Sequence, residues 1–162
     1  MSDVLLRGVR EDDLPIFFHH QLDPEANQMA AFTARDWDAF TAHWTKILSD
    51  ETVTKKTILV GGEVAGNIVS WERSGERLVG YWIGRNHWGK GVATKALSQF
   101  LGHVAARPLY ARVAKHNIAS IRVLEKCGFT ISGEDTASSN APGGKVEEFI
   151  FELRADDEDE PR

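Results

Sequence analysis

The order of structural elements is clearest in residues 78–113, LVGYWIGRNHWGKGVATKALSQFLGHVAARPLYARV. The first seven residues are rich in β-forming side chains and predict a strand that ends at Gly84. From Val92 the apolar residues recur at helical spacing, and this predicted helix ends before Pro108. LYARV then predicts a second strand. A strand, a helix and a strand at this spacing predict two parallel strands joined by a right-handed crossover.

Downstream of this unit, the sequence predicts one more helix and two strands. Residues 117–129, NIASIRVLEKCGF, predict a helix with Asn117 as its N-cap and Gly128 just after its end. Two antiparallel strands are expected at Phe129–Ile131 and Val146–Leu153. The stretch between them, DTASSNAPGG, is typical of a turn-rich loop.

Upstream, the sequence predicts a strand, two helices and a hairpin. Val4–Val9 reads as a strand, and EDDL opens a helix that continues to Leu22. Thr33 and Asp36 have capping-box spacing, which predicts that a second helix starts at Thr33. The segments TILV, GGE and VAGNIVSW predict the hairpin. The expected fold class is therefore α/β (α+β), one domain over residues 1–154 with a mixed sheet.

Composition and charge exclude several classes of protein. The 162 residues are 42% hydrophobic and contain one cysteine, so the chain is an ordinary globular protein without an intrachain disulfide. Residues 155–162 hold five acidic residues and one arginine, a net −4 of the chain's −5, and we expect this tail to be disordered. The remaining −1 gives no general attraction for nucleic acid or anionic lipid. No apolar run suits a secretory signal or a membrane span, which favours a cytoplasmic protein.

The loop GRNHWGKG is the strongest candidate for a binding site. A glycine-bearing loop before a helix presents free backbone N–H groups to a phosphate or pyrophosphate. The string from Gly84 to Lys90 fits GxxxxGK, but Gly91 stands where an ATP-binding P-loop has Ser or Thr. GKGVAT supplies only half of a dinucleotide-binding fingerprint. The pattern therefore favours neither ATP nor NAD.

Two motifs together resemble the coenzyme A signatures of the GCN5-related N-acetyltransferase (GNAT) family. WGKGVA, Trp88–Ala93, is similar to the first signature, with tryptophan in place of the usual glutamine or arginine. That replacement and the NIASIRVLEKCGF segment resemble the RimJ/RimL-type branch, the ribosomal-protein N-terminal acetyltransferases. The resemblance implies a mixed, mostly antiparallel sheet with helices on both faces and a splayed parallel strand pair at the acetyl-CoA site. It also implies acetyl-CoA as co-substrate, an amine as acceptor and no metal.

The resemblance further implies a role for each matching residue. The backbone of Ile83 would bond the pantetheine arm and the thioester carbonyl, which favours attack on that carbonyl as an oxyanion hole does. Asn117 would bond the pantetheine, with service as a plain helix cap as the alternative. Amide groups for the pyrophosphate would come from the segment Trp88, Gly89, Lys90, Gly91, Val92, Ala93 and Thr94.

The acid and base of the reaction are less clearly marked. Many relatives protonate the thiolate with a tyrosine in the slot that Leu124 occupies here, and the resemblance implies Ser120 as the substitute. Ser120 has a simpler alternative role as a residue of the helix's first turn. Since LVGYWIG contains no carboxylate, the candidates for the base are Glu72, Asp13, His19 and His20. A site without a strong base favours an acceptor of low pKa, such as an α-amine.

Two alternatives remain open at the level of sequence. A CoA-binding sensor without turnover is the rival to an enzyme, favoured by the missing tyrosine and opposed by Ser120 and the complete loop. Cys127 could suggest an acetyl-cysteine intermediate, but it has no neighbouring histidine and is expected to pack in the core. Direct transfer in a ternary complex is the expected mechanism. The expected partners are acetyl-CoA and an amine acceptor, either a protein N-terminus or a small molecule, without nucleic acid or membrane, and a homodimer is compatible with the sequence.

Overall fold

A mixed sheet forms the centre of the computed structural model, which describes residues 3–138 and 145–155. Its seven strands within these ranges lie in the order β1-β2-β3-β4-β5-β7-β6. All neighbours are antiparallel except β4 and β5, which are parallel as predicted. The strands are β1 Val4–Gly8, β2 Thr54–Val60, β3 Glu63–Arg73, β4 Glu76–Ile83, β5 Leu109–Ala114, β6 Thr130–Ser138 and β7 Lys145–Leu153.

Five α-helices of the described ranges pack against this sheet. They are α1 Leu14–Gln21, α2 Pro24–Ala30, α3 Trp37–Ser49, α4 Val92–Phe100 and α5 Ile118–Lys126. The helix α4 provides the crossover between the parallel strands β4 and β5, as the sequence predicted. None of the helices in the described part of the chain is long and apolar enough to cross a membrane.

The helices cover both faces of the sheet. Two successive residues of β3, whose side chains point to opposite faces, show this. Ile68 is fully buried in a cluster with Leu97 and Phe100 of α4. The next residue, Val69, packs instead against the cluster formed by α1 and α3. Successive residues of a strand point to opposite faces, so two separate apolar layers sandwich the sheet. Burying both layers stabilises the fold and fixes the register of the central strands.

The parallel strands diverge after their first residues. Within the described chain, β4 and β5 pair only at Arg77 with Leu109 and at Leu78 with Tyr110. Both strands continue further, β4 to Ile83 and β5 to Ala114. The sheet therefore opens into a gap beside the second half of β4, and the residues at this end of β4 lead directly into the glycine-bearing loop.

The structure corrects several expectations about the helices and strands. The helix α4, predicted to continue until Arg107 and Pro108 end it, already ends at Phe100. The helix predicted to start at Thr33 begins at Trp37, because Asp36 is the N-cap and its carboxylate accepts from the Ala39 N–H at 2.8 Å. The helix α2 was not predicted. The strand β6 reaches Ser138 rather than Ile131, so it includes the first four residues of the predicted loop. The rest of that loop, 139–144, and the acidic tail from 156 to 162 lie outside the described residues.

Candidate active site

A cavity of about 600 Å³ opens beside the end of β4, where β5 has diverged. Four parts of the chain enclose it, namely the end of β4, the glycine-bearing loop with the start of α4, the helix α5 and the helix α2. The lining residues, all in the described part of the chain, include no aspartate and no glutamate. They are Ala26, Met29, Ala30, Tyr81, Trp82, Ile83, His87, Trp88, Gly89, Gly91, Val92, Ala93, Thr94, Asn117, Ala119, Ser120, Arg122, Val123 and Lys126.

The backbone of Ile83 points into this gap. The N–H of Gly84 donates to the oxygen of Ala65 on β3 at 2.8 Å, and Ile83 pairs with Gly66 in the same register. In an antiparallel ladder, hydrogen-bonded and non-hydrogen-bonded pairs alternate, so the groups of Ile83 point away from β3. They point to the side on which β5 has already diverged. The backbone polar groups of Ile83 therefore lie at the cavity.

The glycine-bearing loop leads into a helix start that no side chain caps. Gly91 is the N-cap of α4 and makes no side-chain capping bond. Gly89 and Gly91 both have φ +74°, and a Cβ built on either would meet nothing within 4 Å. The first residues of α4 line the cavity, and their N–H groups have no partner inside their own helix. Together with the helix dipole, these groups make a site suited to an anionic group.

Trp88 ties this loop to the end of β4. Its indole Nε1 donates to the backbone oxygen of Ile83 at 2.9 Å. The guanidinium carbon of Arg85 lies 5.5 Å from the centre of the Trp88 ring. A tryptophan in this motif position therefore has a structural function here, since it links the strand to the loop on the same wall of the cavity.

Asn117 caps α5 and also lines the cavity. Its side-chain oxygen accepts from the Ser120 N–H at 3.3 Å, which is the N-cap bond that the sequence predicted. This bond uses only the carbonyl oxygen of the side-chain amide. The NH₂ group keeps two donors, so the capping role and a ligand-binding role are compatible in one residue.

Ser120 faces Tyr81 across the cavity wall. The two hydroxyl oxygens lie 2.7 Å apart, a normal distance for a hydrogen bond between hydroxyls. Burial raises the pKa of Tyr81 to about 12, and the hydrogen bond to Ser120 opposes this rise. The slot in which many relatives carry a tyrosine is filled by Leu124, which is 1% exposed and belongs to the core. The structure thus brings a tyrosine to Ser120 from a different element.

Two cations of α5 line the cavity, whereas the lysine of the loop does not. Arg122 and Lys126 are one helical turn apart and both are lining residues. Lys90 is exposed and is absent from the lining. The positive side chains that line the cavity are therefore those of Arg122 and Lys126 on α5. Lys90 has only its backbone to offer a ligand in the cavity.

The helix α2 forms one wall of the cavity, and ion pairs join its N-terminal end to the loop. Arg85 bonds both carboxylate oxygens of Asp23, the N-cap of α2, and its Nη1 lies 3.2 Å from the Glu25 carboxylate. The hydrogen bond from Arg85 lowers the pKa of Asp23 to about 2. The carbonyl oxygen of Gln28 lies 2.8 Å from Nε2 of His116. These contacts hold α2 against the mouth of the cavity.

Glu72 lies at the other end of the sheet. It pairs with Arg77 at the start of β4 and lines a separate cavity with His103 and Arg107. Six residues of strand separate Arg77 from Ile83, a distance of about 20 Å at ~3.4 Å per residue. Glu72 is therefore too far from the cavity at Ile83 to act there as the base that the sequence suggested.

Asp13 is a structural residue. It is buried, and its carboxylate accepts from Arg7 at 2.7 and 2.9 Å, from the Arg10 N–H at 2.9 Å and from the Thr57 hydroxyl at 2.6 Å. Although burial alone raises the pKa of Asp13, these hydrogen bonds hold it at about 2. A carboxylate with so low a pKa and no place in the cavity lining is not a general base for an amine.

The two candidate histidines also lie outside the lining. His19 is exposed. His20 packs against Gly84, where an added Cβ would lie 2.6 Å from its Nε2, and burial lowers the pKa of His20. A different histidine, His87, lines the cavity, and its Nε2 lies 2.9 Å from the carboxylate of Glu63.

Cys127 is placed for packing. Its thiol lies 3.6 Å from the backbone oxygen of Thr94, burial raises its pKa, and it packs against the main core. It is absent from the cavity lining. Within the described residues, no group of three or more His, Cys, Asp or Glu side chains is arranged to hold a metal ion.

Several lining residues were not predicted from the sequence. Arg122 and Lys126 were signalled by their i, i+4 spacing on the helix next to the second motif. The helix α2 was signalled by Asp23 followed by Pro24, an N-cap with proline in the first turn. Tyr81 carried only a weak signal, its position two residues before Ile83 on the same face of the strand.

Comparisons with known proteins agree with this geometry. The acetyltransferase (GNAT) domain family matches residues 3–130. A Bacillus licheniformis protein described as an uncharacterized N-acetyltransferase, p20, is 24% identical over 91% of this chain and 90% of its own.

Solved structures show the same fold. The spermidine N-acetyltransferase of Vibrio cholerae, solved with CoA and spermine, superimposes with a TM-score of 0.81 at 16% identity, over 93% of this chain and 95% of that one. RimL, a ribosomal L7/L12 α-N-protein acetyltransferase solved with coenzyme A, has a TM-score of 0.81 at 17% identity, over 94% of each chain. The family match covers most of the chain, and the open parallel pair lies beside the matched motifs. This chain belongs to the GNAT acetyltransferase family and is an acetyl-CoA-dependent N-acetyltransferase.

Proposed function

We propose that the cavity between β4 and α5 binds acetyl-CoA and that the enzyme transfers the acetyl group directly to an α-amine. The observation that carries this proposal is that two sets of backbone polar groups lie at the same cavity. One set belongs to Ile83, at the free side of β4. The other set is the uncapped start of α4 after Gly91.

The residues present fit a CoA molecule. The N–H groups of Gly89 to Thr94 suit its pyrophosphate, and Arg122 and Lys126 supply nearby positive charge for its phosphates. The amide NH₂ of Asn117 suits the pantetheine arm. The N–H of Ile83 would hydrogen-bond the thioester oxygen, which stabilises the negative charge that develops there during attack. Lys90 would act only through its backbone.

The lining of the cavity supports an acceptor that needs no strong base. No carboxylate lies among the described lining residues. A lysine-like amine of pKa ~10.4 costs ~4–5 kcal/mol to deprotonate at pH 7, whereas an α-amine of pKa ~7.7–8.0 costs only ~1 kcal/mol. An α-amine can therefore attack in this site without a carboxylate to remove its proton first.

The same lining opposes a polyamine acceptor, although one structural neighbour is a spermidine acetyltransferase. A polycation needs carboxylates, yet the charged side chains of this cavity are Arg122 and Lys126. A wider groove on the other side of α2 adds Lys115, His116 and Lys145 against one carboxylate, Glu147. We infer that the acceptor carries no cluster of positive charges.

The proposal is tested by measuring free CoA thiol as the full chain reacts with acetyl-CoA and one acceptor at a time. The panel has three arms, namely peptides with a free N-terminal Ala, Ser or Met, Nα-acetylated peptides whose only amine is a lysine, and spermidine. We expect thiol release above the hydrolysis rate with the first arm, and none with the Gly91→Val variant. Release only with the lysine peptides or spermidine would contradict the α-amine assignment, and release with no arm would contradict the acceptor proposal entirely.

A further inference from the structure

We propose that Tyr81 is a positioning residue, whose hydroxyl donates to Ser120 and thereby directs the hydrogen of Ser120 toward the sulfur of CoA. The inference rests on the proposed acetyl-CoA site. It assigns a task to a strand residue that neither signature motif contains. Its basis is the 2.7 Å contact between the two hydroxyl groups on the cavity wall.

The geometry places both hydroxyls at the cavity with few degrees of freedom. Tyr81 shares a strand face with Ile83 and packs against the main core, so its ring is fixed. Ser120 lies in the first turn of α5, where its own N–H is bonded to Asn117. The two side chains therefore meet from two separate elements, both of which line the cavity.

The direction of the hydrogen bond follows from the chemistry of the two groups. A phenol is a stronger donor than an aliphatic alcohol, so Tyr81 is expected to donate and Ser120 to accept. Each hydroxyl carries one hydrogen. If Tyr81 uses its hydrogen on the Ser120 oxygen, the hydrogen of Ser120 remains free for a third atom. Burial raises the pKa of Tyr81 to about 12, which keeps the donor protonated in any neutral buffer.

A hydrogen-bond donor at the sulfur would assist the reaction. The amine nitrogen forms a bond to the acetyl carbon, the carbon–sulfur bond breaks, and its electron pair stays on the sulfur. Over the whole reaction the nitrogen loses one proton and the sulfur gains one. The hydroxyl of Ser120 would stabilise the negative charge on the sulfur as the bond breaks, while the proton released by the amine balances the proton taken up.

Tyr81 itself is not the source of that proton. A thiol has a pKa of ~8.5, so transfer from a phenol of pKa about 12 to the thiolate is unfavourable by roughly three powers of ten. Tyr81 therefore stays protonated and acts through Ser120. Because Tyr81 acts through Ser120, a hydrogen-bond donor to the sulfur is retained although Leu124 occupies the position at which many relatives have a tyrosine.

The first test is the ionisation of the thiol of bound CoA, which needs no acceptor. The thiolate absorbance of the CoA complex is titrated for the parent, Tyr81→Phe, Ser120→Ala and Tyr110→Phe. Tyr110 is the matched control, since it is the other tyrosine of the chain and lines the cavity at the far end of the sheet. We expect the bound thiol to become about 2- to 10-fold harder to ionise in Tyr81→Phe and in Ser120→Ala, with no change in Tyr110→Phe. An unchanged thiol ionisation in Tyr81→Phe would overturn the proposal.

The second test is a double-mutant cycle on kcat with the best acceptor of the panel. We expect Tyr81→Phe to lower kcat about 3- to 10-fold with the KM for acetyl-CoA unchanged, and to have no effect in the Ser120→Ala background. Additive effects, or a loss that falls on KM alone, would show that Tyr81 does not act through Ser120. These failures are distinct from a failure of the proposed function, in which the parent itself would not transfer acetyl groups to α-amines.

Discussion

The indole nitrogen of Trp88 donates to the backbone oxygen of Ile83 at 2.9 Å, across five residues of chain. This bond joins the end of β4 to the loop that precedes α4. It sets the distance between the two backbone sites that the proposed function assigns to the thioester and the pyrophosphate. The tryptophan of the motif thus links the two ends of the proposed CoA site.

Trp88→Phe should weaken CoA binding, because it keeps an aromatic ring and removes the donor to Ile83. A lost hydrogen bond of ~0.5–1.5 kcal/mol corresponds to a roughly 2- to 10-fold higher Kd. Calorimetric titration with CoA measures the effect. The control is Trp37→Phe, at a tryptophan that is 43% exposed and packs against Phe18, away from the cavity. Equal affinities for the two variants would show that the Trp88 bond has no part in binding.

Removal of positive charge should matter on α5 and not on the loop. Arg122→Ala should raise the Kd for CoA about 3- to 10-fold at low ionic strength, because this side chain lines the cavity. Lys90→Ala should change it less than ~2-fold, because Lys90 is absent from the cavity lining and solvent screens an exposed charge that does not contact the ligand. The effect of Arg122→Ala should shrink in high salt. A larger loss in Lys90→Ala than in Arg122→Ala would reverse this assignment of charge.

Cys127→Ala should retain most acetyl transfer. The thiol lies beside the backbone oxygen of Thr94 and outside the cavity lining, and burial raises its pKa, which makes it a poor nucleophile. We expect kcat within ~2-fold of the parent and a modest loss of stability from the missing sulfur. Mass spectrometry of the enzyme during turnover tests the alternative. Detection of an acetylated Cys127 that passes its acetyl group to the acceptor would contradict this prediction and establish a covalent route.

The Asp13 cluster should make stability depend on pH at the acidic end. The pKa of Asp13 is about 2 in the folded protein against 3.8 as its ordinary value, so its contribution is present above pH ~4 and is lost as the pH falls toward 2. The difference corresponds to on the order of 2 kcal/mol. Urea unfolding should show Asp13→Asn less stable than the parent by about this amount at pH 7.

The gap between Asp13→Asn and the parent should close as the pH is lowered. Asp12→Asn is the matched control, because Asp12 is the exposed neighbour in the same turn. It should unfold like the parent at every pH. A gap for Asp13→Asn that stays constant down to pH 2 would mean that the carboxylate's charge is not what stabilises the cluster.

The sequence predicted the central part of the fold because the periodicities there are strong. The run from Leu78 to Val113 combines a β-rich segment, a wide helical stripe and a second β-rich segment, and the structure confirms the parallel pair. The boundaries failed where local signals compete. Thr33 and Asp36 both resemble N-caps, and the capping bond of Asp36 together with the packing of Trp37 and Phe40 against α1 favours the start at Trp37.

The candidate site was predictable where it depends on the motifs and unpredictable where it depends on sheet register. Ile83, Gly91 and Asn117, which the motifs singled out, all line one cavity. Glu72, in contrast, lies at the far end of the sheet from this cavity. The register of strand pairing sets its distance from the site, and the composition of the sequence does not reveal that register. Tyr81 and Ser120 are 39 residues apart, so their contact depends on the docking of α5 against β4.

The most direct test of the account is the affinity of Gly91→Val for CoA. Valine at φ +74° is strained, and its side chain would fill the space in front of the α4 N-terminus that is open in the parent. Gly75→Val controls for the strain alone, since Gly75 has φ +81°, equally open surroundings and a place in the cavity at the opposite end of the sheet. Calorimetry should show parental affinity for Gly75→Val and a loss of at least ~100-fold for Gly91→Val. Equal, near-parental affinities for both variants would contradict the assignment of this loop as the CoA site.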